Sequence, residues 1–251
     1  MAPDAFGGAL RAPVVAAAIG RGLERAGCVP PDLCPVAGGG PGTVEILLPA
    51  LGGETADGFA LVEDGATAIV ELGDGAEVTG ERLAAAAATG AAVVLLAAAG
   101  AAAAEGSAAA AGGAAMIEAL EAHGGLRGAA LVVLCDLRGP AALALRLRDE
   151  RGARLVAGVP FVLEALGFDA RMRAAHAVIM GERRLDRATL HGRVAGEIAT
   201  RARQSGVPCH AVVGVDGIDR FDARMLDLQA IVEAGTIVEL EAAGEALAAY
   251  L

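Results

Sequence analysis

Two carboxylates, Glu182 and Asp186, lie four positions apart in one polar stretch of the chain. Carboxylates are suited to proton transfer and to contact with hard cations. A short apolar run, 177–180, precedes them and Thr189 stands where a helix N-cap is expected, so the pattern predicts a strand, a loop and a helix. Ligands of an open parallel α/β sheet bind beyond the carboxyl ends of its strands, which makes this loop an expected reaction site. The alternative is that both carboxylates form surface salt bridges with the arginines between them.

Two further carboxylates stand at predicted strand ends. Asp4 follows Pro3 at an expected strand-to-helix turn, near helix-terminal N–H groups, although it could equally serve only as the cap of the first helix. No apolar strand precedes Asp4 in the sequence, so we expect a sheet that is one strand short and an Asp4 loop without an anchor. Asp136 ends a predicted strand, a position suited to contact with a metal or a hydroxyl group.

A glycine-rich segment, 37–43, is a candidate anion-binding loop. Its backbone N–H groups could cradle an anion as a nest. It is not a Walker A motif, because no Gly-Lys-Ser/Thr follows it. The alternative is a tight turn without a ligand. The residues that would contribute are Gly38, Gly39, Gly40, Gly42 and Thr43.

Three stretches, in order along the chain, resemble the bacterial type I glycerate kinase family. Residues 2–10 are similar to its Ala-Pro-Asp-Ser-Phe-Lys-Gly-Ser-Leu, with Gly7 in the place of Lys. Residues 35–43 resemble its Pro-x-Ala-Asp-Gly-Gly-Glu-Gly-Thr. Residues 180–193 look like its Thr-Gly-Glu-Gly-x-Leu-Asp-x-Gln-Thr-x-x-Gly-Lys, with Arg193 in the place of the last Lys. Shorter likenesses cover 106–113, which contains Ser107, and 135–140.

The resemblance implies a function and a set of roles. It implies ATP-dependent phosphorylation of D-glycerate with Mg²⁺, giving 2-phosphoglycerate, in which positioning and electrostatics do most of the catalysis. Asp4 and Asp186 become candidate base or Mg²⁺ ligands, Glu182 a second metal contact or orienting group, and Asp136 a further metal ligand. The alternative is a catalytically inactive relative that binds a small acid or nucleotide or acts as an interaction protein. Expected substrate or phosphate contacts are Arg193, Thr189, Ser107, Thr43 and the loop glycines.

The order of predicted elements indicates an α/β protein. Strands and helices alternate in most of the chain, which predicts a parallel flavodoxin- or Rossmann-like sheet flanked by helices. Short β runs at 44–48, 58–62 and 66–72 predict an antiparallel meander in a smaller lobe. We therefore expect a discontinuous parallel domain, 1–42 and 78–251, and a reduced second lobe at 43–77. Further predicted strands are 93–96, 130–135, 177–181, 209–215 and 230–233, and predicted helices are 12–26, 80–89, 114–122, 140–148, 159–166, 189–205 and 237–251.

Composition excludes several classes of function. The formal net charge of −11 disfavours a nucleic-acid or anionic-membrane surface. The four cysteines show no metal-type spacing, which is typical of thiols in a reducing cytoplasm. Residues 83–104 are almost uncharged, but we interpret them as a helix followed by a buried strand and not as a membrane span. No dinucleotide-type Gly-x-Gly-x-x-Gly turn follows a strand. We thus expect a cytoplasmic protein with a small-molecule substrate, and the sequence leaves a homo-oligomer open.

Overall fold

The computed structural model describes residues 1–7, 10–73, 75–100 and 107–251. The strands are β1 (Ala2–Pro3), β2 (Gly53–Ala56), β3 (Phe59–Val62), β4 (Thr67–Glu71), β5 (Val93–Ala97), β6 (Ala130–Cys135), β7 (Arg154–Ala157), β8 (Val178–Glu182), β9 (Cys209–Val213) and β10 (Leu228–Glu233). The helices are α1 (Ala12–Arg25), α2 (Thr43–Leu51), α3 (Ala76–Ala88), α4 (Ser107–Ala122), α5 (Ala142–Arg151), α6 (Gly158–Ala165), α7 (Phe168–Ala174), α8 (Val194–Ser205), α9 (Arg220–Met225) and α10 (Ile237–Leu247).

The chain forms two compact units, each with its own sheet. Unit 1 comprises Met1–Ala37 and Leu166–Leu251, and unit 2 comprises Gly38–Ala165. The predicted boundaries after residues 42 and 77 do not coincide with this division. The reason is that β4 hydrogen-bonds in parallel to β5, so the meander and the parallel strands that follow it share one sheet.

Unit 1 contains a four-stranded parallel sheet in the order β1-β8-β9-β10. Helices α1 and α10 cover one face, where Val15, Ile19 and Leu240 pack against sheet residues such as Val212. The two helices approach closely at Gly22, where a Cβ would lie 1.9 Å from the Glu241 carbonyl oxygen. Glycine is therefore required at this position for the packing of α1 on α10.

Unit 2 contains a six-stranded mixed sheet in the order β2-β3-β4-β5-β6-β7. Strands β2, β3 and β4 are antiparallel neighbours, and β4 to β7 run parallel. Its core joins α3 and α4 to the sheet through fully buried side chains, among them Leu83, Met116, Leu120 and Leu96. The α/β class, the helix-flanked parallel sheet and the antiparallel meander are confirmed, but the parallel strands belong to two sheets where the sequence predicted one.

The predicted strand at 44–48 is wrong, because Thr43–Leu51 is a helix. Gly42 precedes this helix in a left-handed conformation with φ 87°, and Gly52 follows it with φ 68°. Ile46 and Leu47 are its buried apolar residues, and an apolar run this short does not distinguish a strand from a helix by periodicity alone. The third meander strand is β2, which the sequence analysis did not predict.

The predicted helix at 189–205 begins later than expected. Residues Arg187–His191 form a 3₁₀ turn, Gly192 adopts φ 95°, and α8 begins only at Val194. The left-handed glycine interrupts the helical backbone and re-aims the chain. Four elements, α7, α9, β7 and the short β1, were also not predicted.

Candidate functional site

Asp4 is anchored in the sheet of unit 1, contrary to expectation. Ala2 and Pro3 form β1, which pairs with Met180 and Gly181 of β8. The Asp4 N–H donates to the Gly181 carbonyl at 3.0 Å. Two residues of strand are therefore sufficient to fix the carboxylate beyond the end of β1.

The Asp4 carboxylate is half-buried and accepts a short backbone hydrogen bond. One of its oxygens accepts the Ala5 N–H at 2.7 Å. Burial raises the pKa of Asp4 to about 6, and the Ala5 hydrogen bond opposes that rise. A carboxylate with this pKa is ionised at neutral pH and still basic enough to accept a proton from a substrate.

Glu182, the last residue of β8, is buried with only 9% of its surface exposed. Its Oε2 atom has no hydrogen-bond partner among the described residues. Burial and, to a smaller extent, the neighbouring charges of Asp4 and Asp186 raise the pKa of Glu182 to about 7, against the opposing effects of Arg193 and the Ala195 N–H. Asp4 and Glu182 are thus electrostatic neighbours at the carboxyl ends of adjacent strands.

This pair of carboxylates has a chemical consequence. Two acids that interact in a poorly solvated place resist ionising together, so the second of their two protons dissociates only near neutral pH. Perturbed carboxyl groups of this kind are concentrated at functional sites. The pair Asp4 and Glu182 can therefore accept a proton, bind a cation, or do both.

The loop after β8 has a fixed backbone. The Gly214 N–H donates to the Glu182 carbonyl at 3.1 Å and the Val215 N–H to the Arg183 carbonyl at 3.1 Å. The Leu185 N–H returns a bond to the Val215 carbonyl at 3.0 Å. Side chains from this loop are therefore held on a rigid continuation of the sheet.

Asp186 caps the 3₁₀ turn that follows the loop. One carboxylate oxygen accepts the Ala188 N–H at 2.9 Å, and the other accepts from the Arg184 Nε at 3.2 Å. The Thr189 hydroxyl accepts the Asp186 N–H at 3.2 Å, and Thr189 is fully buried. Both side chains thus have structural partners, and Thr189 is the third residue of a capping box in which Asp186 is the cap.

Two arginines flank the acid pair with exposed side chains. Arg193 precedes the first residue of α8, and its charge lowers the pKa of Glu182. Arg183 follows Glu182 directly. Within the described ranges, neither guanidinium forms an ion pair or a side-chain hydrogen bond, so both charges face solvent and are available to an anion.

The glycine-rich loop lies in unit 2 and is built around close packing. A Cβ on Gly40 would lie 2.0 Å from the Ala99 carbonyl oxygen, and one on Gly39 would lie 2.6 Å from Gly158 Cα. The Ala99 N–H donates to the Gly39 carbonyl at 3.0 Å. Packing alone therefore accounts for these two glycines, whereas a Cβ on Gly42 would meet nothing within 4 Å.

The groups at the start of α2 already have partners within unit 2. The Thr43 hydroxyl donates to the Gly40 carbonyl at 2.6 Å, and Thr43 is fully buried. The Val44 N–H donates to Glu71 Oε1 at 2.7 Å, so a carboxylate from the end of β4 caps this helix. The tight-turn alternative thus has direct support at Thr43 and Val44.

Two other predicted site residues belong to unit 2. Asp136 is exposed after β6 and accepts the Arg138 N–H at 2.9 Å. Ser107 is the first residue of α4, and its side chain lies outside the described part of the chain. Gly106, the first residue of the family-like segment 106–113, lies outside the described residues as well.

The comparison with known protein families settles which group of proteins the chain is part of. The model of the glycerate kinase family matches residues 1–123 and 139–249, across both units. The chain belongs to the glycerate kinase family.

Individual relatives of this family member agree with the assignment. A glycerate kinase from Halalkalibacterium halodurans is 35% identical over 100 residues, a match that covers 40% of this chain and 22% of that protein. The crystal structure of a candidate glycerate kinase 2 from Salmonella typhimurium LT2 superposes with a TM-score of 0.71 at 19% identity. It covers 99% of this chain and 96% of that one, which shows the shared fold.

The described residues offer a metal ion only small sets of ligands. In the described ranges, no group of three or more His, Cys, Asp or Glu side chains could hold a metal ion. Mg²⁺ commonly takes one or two carboxylates and fills its other positions with water and substrate phosphates. The unpartnered Glu182 Oε2 and the adjacent Asp4 match such a two-carboxylate site.

A cavity of about 590 Å³ in unit 1 lies away from the acid pair. Its lining includes Met1, Ala177 and Val178, at the amino-terminal ends of β1 and β8, whereas Asp4 and Glu182 stand at the other ends. None of the predicted site residues lines it.

Among the described helices of the chain, none has the length and apolar character to cross a bilayer.

Sequence reasoning missed two contributors to these sites. Arg183 was treated only as a salt-bridge partner for the loop carboxylates, although its place directly after a strand-ending Glu was a usable signal. Glu71 has no sequence signal that points to α2, because its contact with Val44 joins residues 27 positions apart. Such contacts follow only from the sheet topology.

Proposed function

We propose that this chain is a kinase that transfers the γ-phosphoryl group of ATP to a hydroxyl of D-glycerate, giving 2-phosphoglycerate. The buried pair of Asp4 and Glu182, at the carboxyl ends of adjacent parallel strands, is the observation that carries the proposal. Family membership supports the reaction class.

Asp4 is the proposed general base. Its pKa of about 6 leaves it ionised at pH 7, and its place beyond the end of β1 is where a ligand of a parallel sheet binds. In the reaction the acceptor hydroxyl gives its proton to an Asp4 oxygen while its own oxygen bonds to phosphorus. The bond from the γ-phosphorus to the bridging oxygen breaks, and ADP keeps that electron pair.

Glu182 is the proposed carboxylate contact to Mg²⁺. Its Oε2 is buried and has no partner among the described residues, and a hard carboxylate oxygen suits this ion. The ion, when bound with ATP, neutralises charge on the phosphate oxygens. Asp186 remains a further candidate ligand in unit 1, and Asp136 is a separate candidate cation contact in unit 2, although each already accepts a backbone N–H.

Arg193 is the proposed phosphate contact in unit 1. It is exposed, has no ion pair among the described residues, and lies near enough to Glu182 to lower its pKa. A guanidinium binds phosphate oxygens in a planar fork. The backbone amides of Gly38 to Gly42 are proposed as a separate anion-binding loop of unit 2. The Thr43 and Thr189 hydroxyls are restricted to structural roles.

A coupled ADP-release assay with D-glycerate tests this proposal. The wild-type chain should release ADP only when Mg²⁺, ATP and D-glycerate are all present. Asp4→Asn should lower kcat by about 1000-fold, because general-base catalysis contributes roughly two to four powers of ten. Asp227→Asn is a matched control, since Asp227 lies outside the site with φ 56°, which Asn also tolerates. Activity of Asp4→Asn equal to that of the control would refute the assignment.

The second candidate is an inactive relative that only binds a ligand. The inward hydrogen bonds of Thr43 and the capping of Val44 by Glu71 favour it, because they remove donors that a phosphate would use. Thermal-shift titrations separate the two functions. Stabilisation by both Mg-ATP and D-glycerate, with turnover, supports the kinase, and stabilisation by one of them without turnover supports the binder.

A further inference from the structure

The charge of Arg183 forms no ion pair with Asp4 or Glu182 in the described part of the chain. Its backbone is fixed, since its carbonyl accepts the Val215 N–H at 3.1 Å. Its side chain is exposed and has no ion pair or hydrogen bond among the described residues. Within the described residues, its guanidinium is therefore open to contact with an anion.

The side chain of Arg183 lies beside Gly7, which is three residues after Asp4. Gly7 has φ 88°, and a Cβ built on it would lie 3.6 Å from Arg183 Cδ. Arg183 Cδ thus lies in van der Waals contact with the position where a side chain of residue 7 would begin. The family pattern quoted above has Lys where this chain has Gly7, and Gly where this chain has Arg183. The glycine and the cationic residue are therefore exchanged in this chain.

We propose that Arg183 binds the carboxylate of the acceptor substrate and supplies, from the end of β8, a positive charge beside the Asp4 loop. The inference rests on the proposed function. The hydroxyl of a 2-hydroxy acid that reaches Asp4 is one carbon away from the carboxylate, so that carboxylate needs a cation close to the same loop. A guanidinium matches a carboxylate with two parallel hydrogen bonds, and it offsets the repulsion of the substrate by Asp4 and Glu182.

Steady-state kinetics with both substrates varied test the assignment. Arg183→Ala should raise the KM for D-glycerate by about 10- to 100-fold, as expected for a lost hydrogen bond between charged groups, and leave the KM for ATP within about twofold. Arg183→Lys should be intermediate, because it keeps the charge and loses the fork. Arg187→Ala is the matched control, because Arg187 lies in the same segment with 85% of its side chain exposed and only a 3.9 Å approach to Asp222.

A charge-swap variant tests the shared position directly. Gly7→Lys/Arg183→Gly should recover part of the D-glycerate affinity that Arg183→Gly loses. The Lys at a left-handed position weakens the fold, so thermal stability is measured for each variant. A KM for D-glycerate unchanged in Arg183→Ala, or an increase confined to the KM for ATP, overturns the carboxylate assignment.

Calorimetric binding of D-glycerate alone separates this inference from the proposed reaction. Wild-type protein that binds D-glycerate without turnover, with binding lost in Arg183→Ala, supports the Arg183 contact while the kinase proposal fails. Turnover and binding that are both unaffected in Arg183→Ala leave the kinase intact and overturn the contact. Wild-type protein that neither binds nor phosphorylates D-glycerate overturns both proposals.

Discussion

Glu182 and Glu71 each end a parallel strand, one in each unit of the chain, and each faces the first turn of a helix. Glu71 is half-buried, and its Oε1 accepts the Val44 N–H at 2.7 Å, so it caps α2. Glu182 lies near the Ala195 N–H of α8, but its Oε2 is buried without a partner among the described residues, and its pKa is raised to about 7. The same residue type in the same topological position thus has two different environments.

The difference between the two sites is one of solvation and neighbouring charge. Glu71 forms a short hydrogen bond with a helix N-terminus, an interaction that stabilises a carboxylate. Glu182 faces Asp4, and burial removes the water that would stabilise its charge. A strand-ending carboxylate therefore indicates a functional site only when its neighbours leave part of it unsatisfied.

The largest effect that separates the two glutamates should be on activity. Glu182→Gln should lower kcat by about 100-fold or more, because it removes a charged contact to the cation that stabilises the transferred phosphoryl group. Glu71→Gln should leave kcat within about threefold. The measurement is ADP release at saturating Mg-ATP and D-glycerate, with circular dichroism to confirm folding. Equal losses in the two variants would show that both glutamates act through the fold.

Much of the fold could be predicted from local patterns. Strand β6 was predicted with its observed bounds, and α1 within one residue, because each is an uninterrupted apolar or amphipathic pattern. The division into two sheets could not be predicted, since it depends on which strands pair, as β4 does with β5. Helix α2 was missed because nine residues with few polar positions carry no clear period.

The residue types of the candidate site could be predicted from the sequence, but not which of these residues lie close to one another. Glu182 and Asp4 could be found because each stands at a strand end and matches a family motif. Their proximity depends on the pairing of β1 with β8, which joins residues nearly 180 positions apart. The capping role of Asp186 depends on a 3₁₀ turn, whose sequence resembles the start of the longer helix that we predicted.

Stability should depend on pH through Glu182. The folded protein binds this proton more tightly than the unfolded chain, since the pKa rises from 4.5 to about 7 on folding. This contribution is complete below about pH 4.5 and is lost as the pH rises through 7, with a size on the order of 3 kcal/mol. Urea unfolding of the wild type should therefore show a decrease in the free energy of unfolding between pH 4.5 and 8. Asp4, whose pKa is about 6, contributes to the decrease at lower pH, so Glu182→Gln should lack most of the decrease above about pH 6. A parallel pH profile for the variant above pH 6 would contradict the assigned pKa.

Two glycines in the unit 2 loop offer a smaller contrast. Gly40→Ala should destabilise the protein by about 2 kcal/mol or more, because a Cβ there would lie 2.0 Å from the Ala99 carbonyl oxygen and the backbone must shift. Gly42→Ala should cost about 1 kcal/mol, because its only penalty is the left-handed φ of 87°. Thermal unfolding of both variants, with and without Mg-ATP, gives the comparison. A greater loss in Gly42→Ala than in Gly40→Ala would exclude packing as the reason for Gly40.

The smallest expected effect concerns the helix cap formed by Glu71. Glu71→Ala should lower the free energy of unfolding by about 1 kcal/mol, because the Val44 N–H loses its acceptor. Glu71→Gln should cost about half as much, since the amide oxygen can still accept the hydrogen bond while the favourable charge at the helix N-terminus is lost. Urea unfolding at pH 7 measures both values. A Gln variant as unstable as the Ala variant would show that the charge of Glu71, and not its hydrogen bond, stabilises α2. The electrostatic environment would then dominate at Glu71, as it does at Glu182.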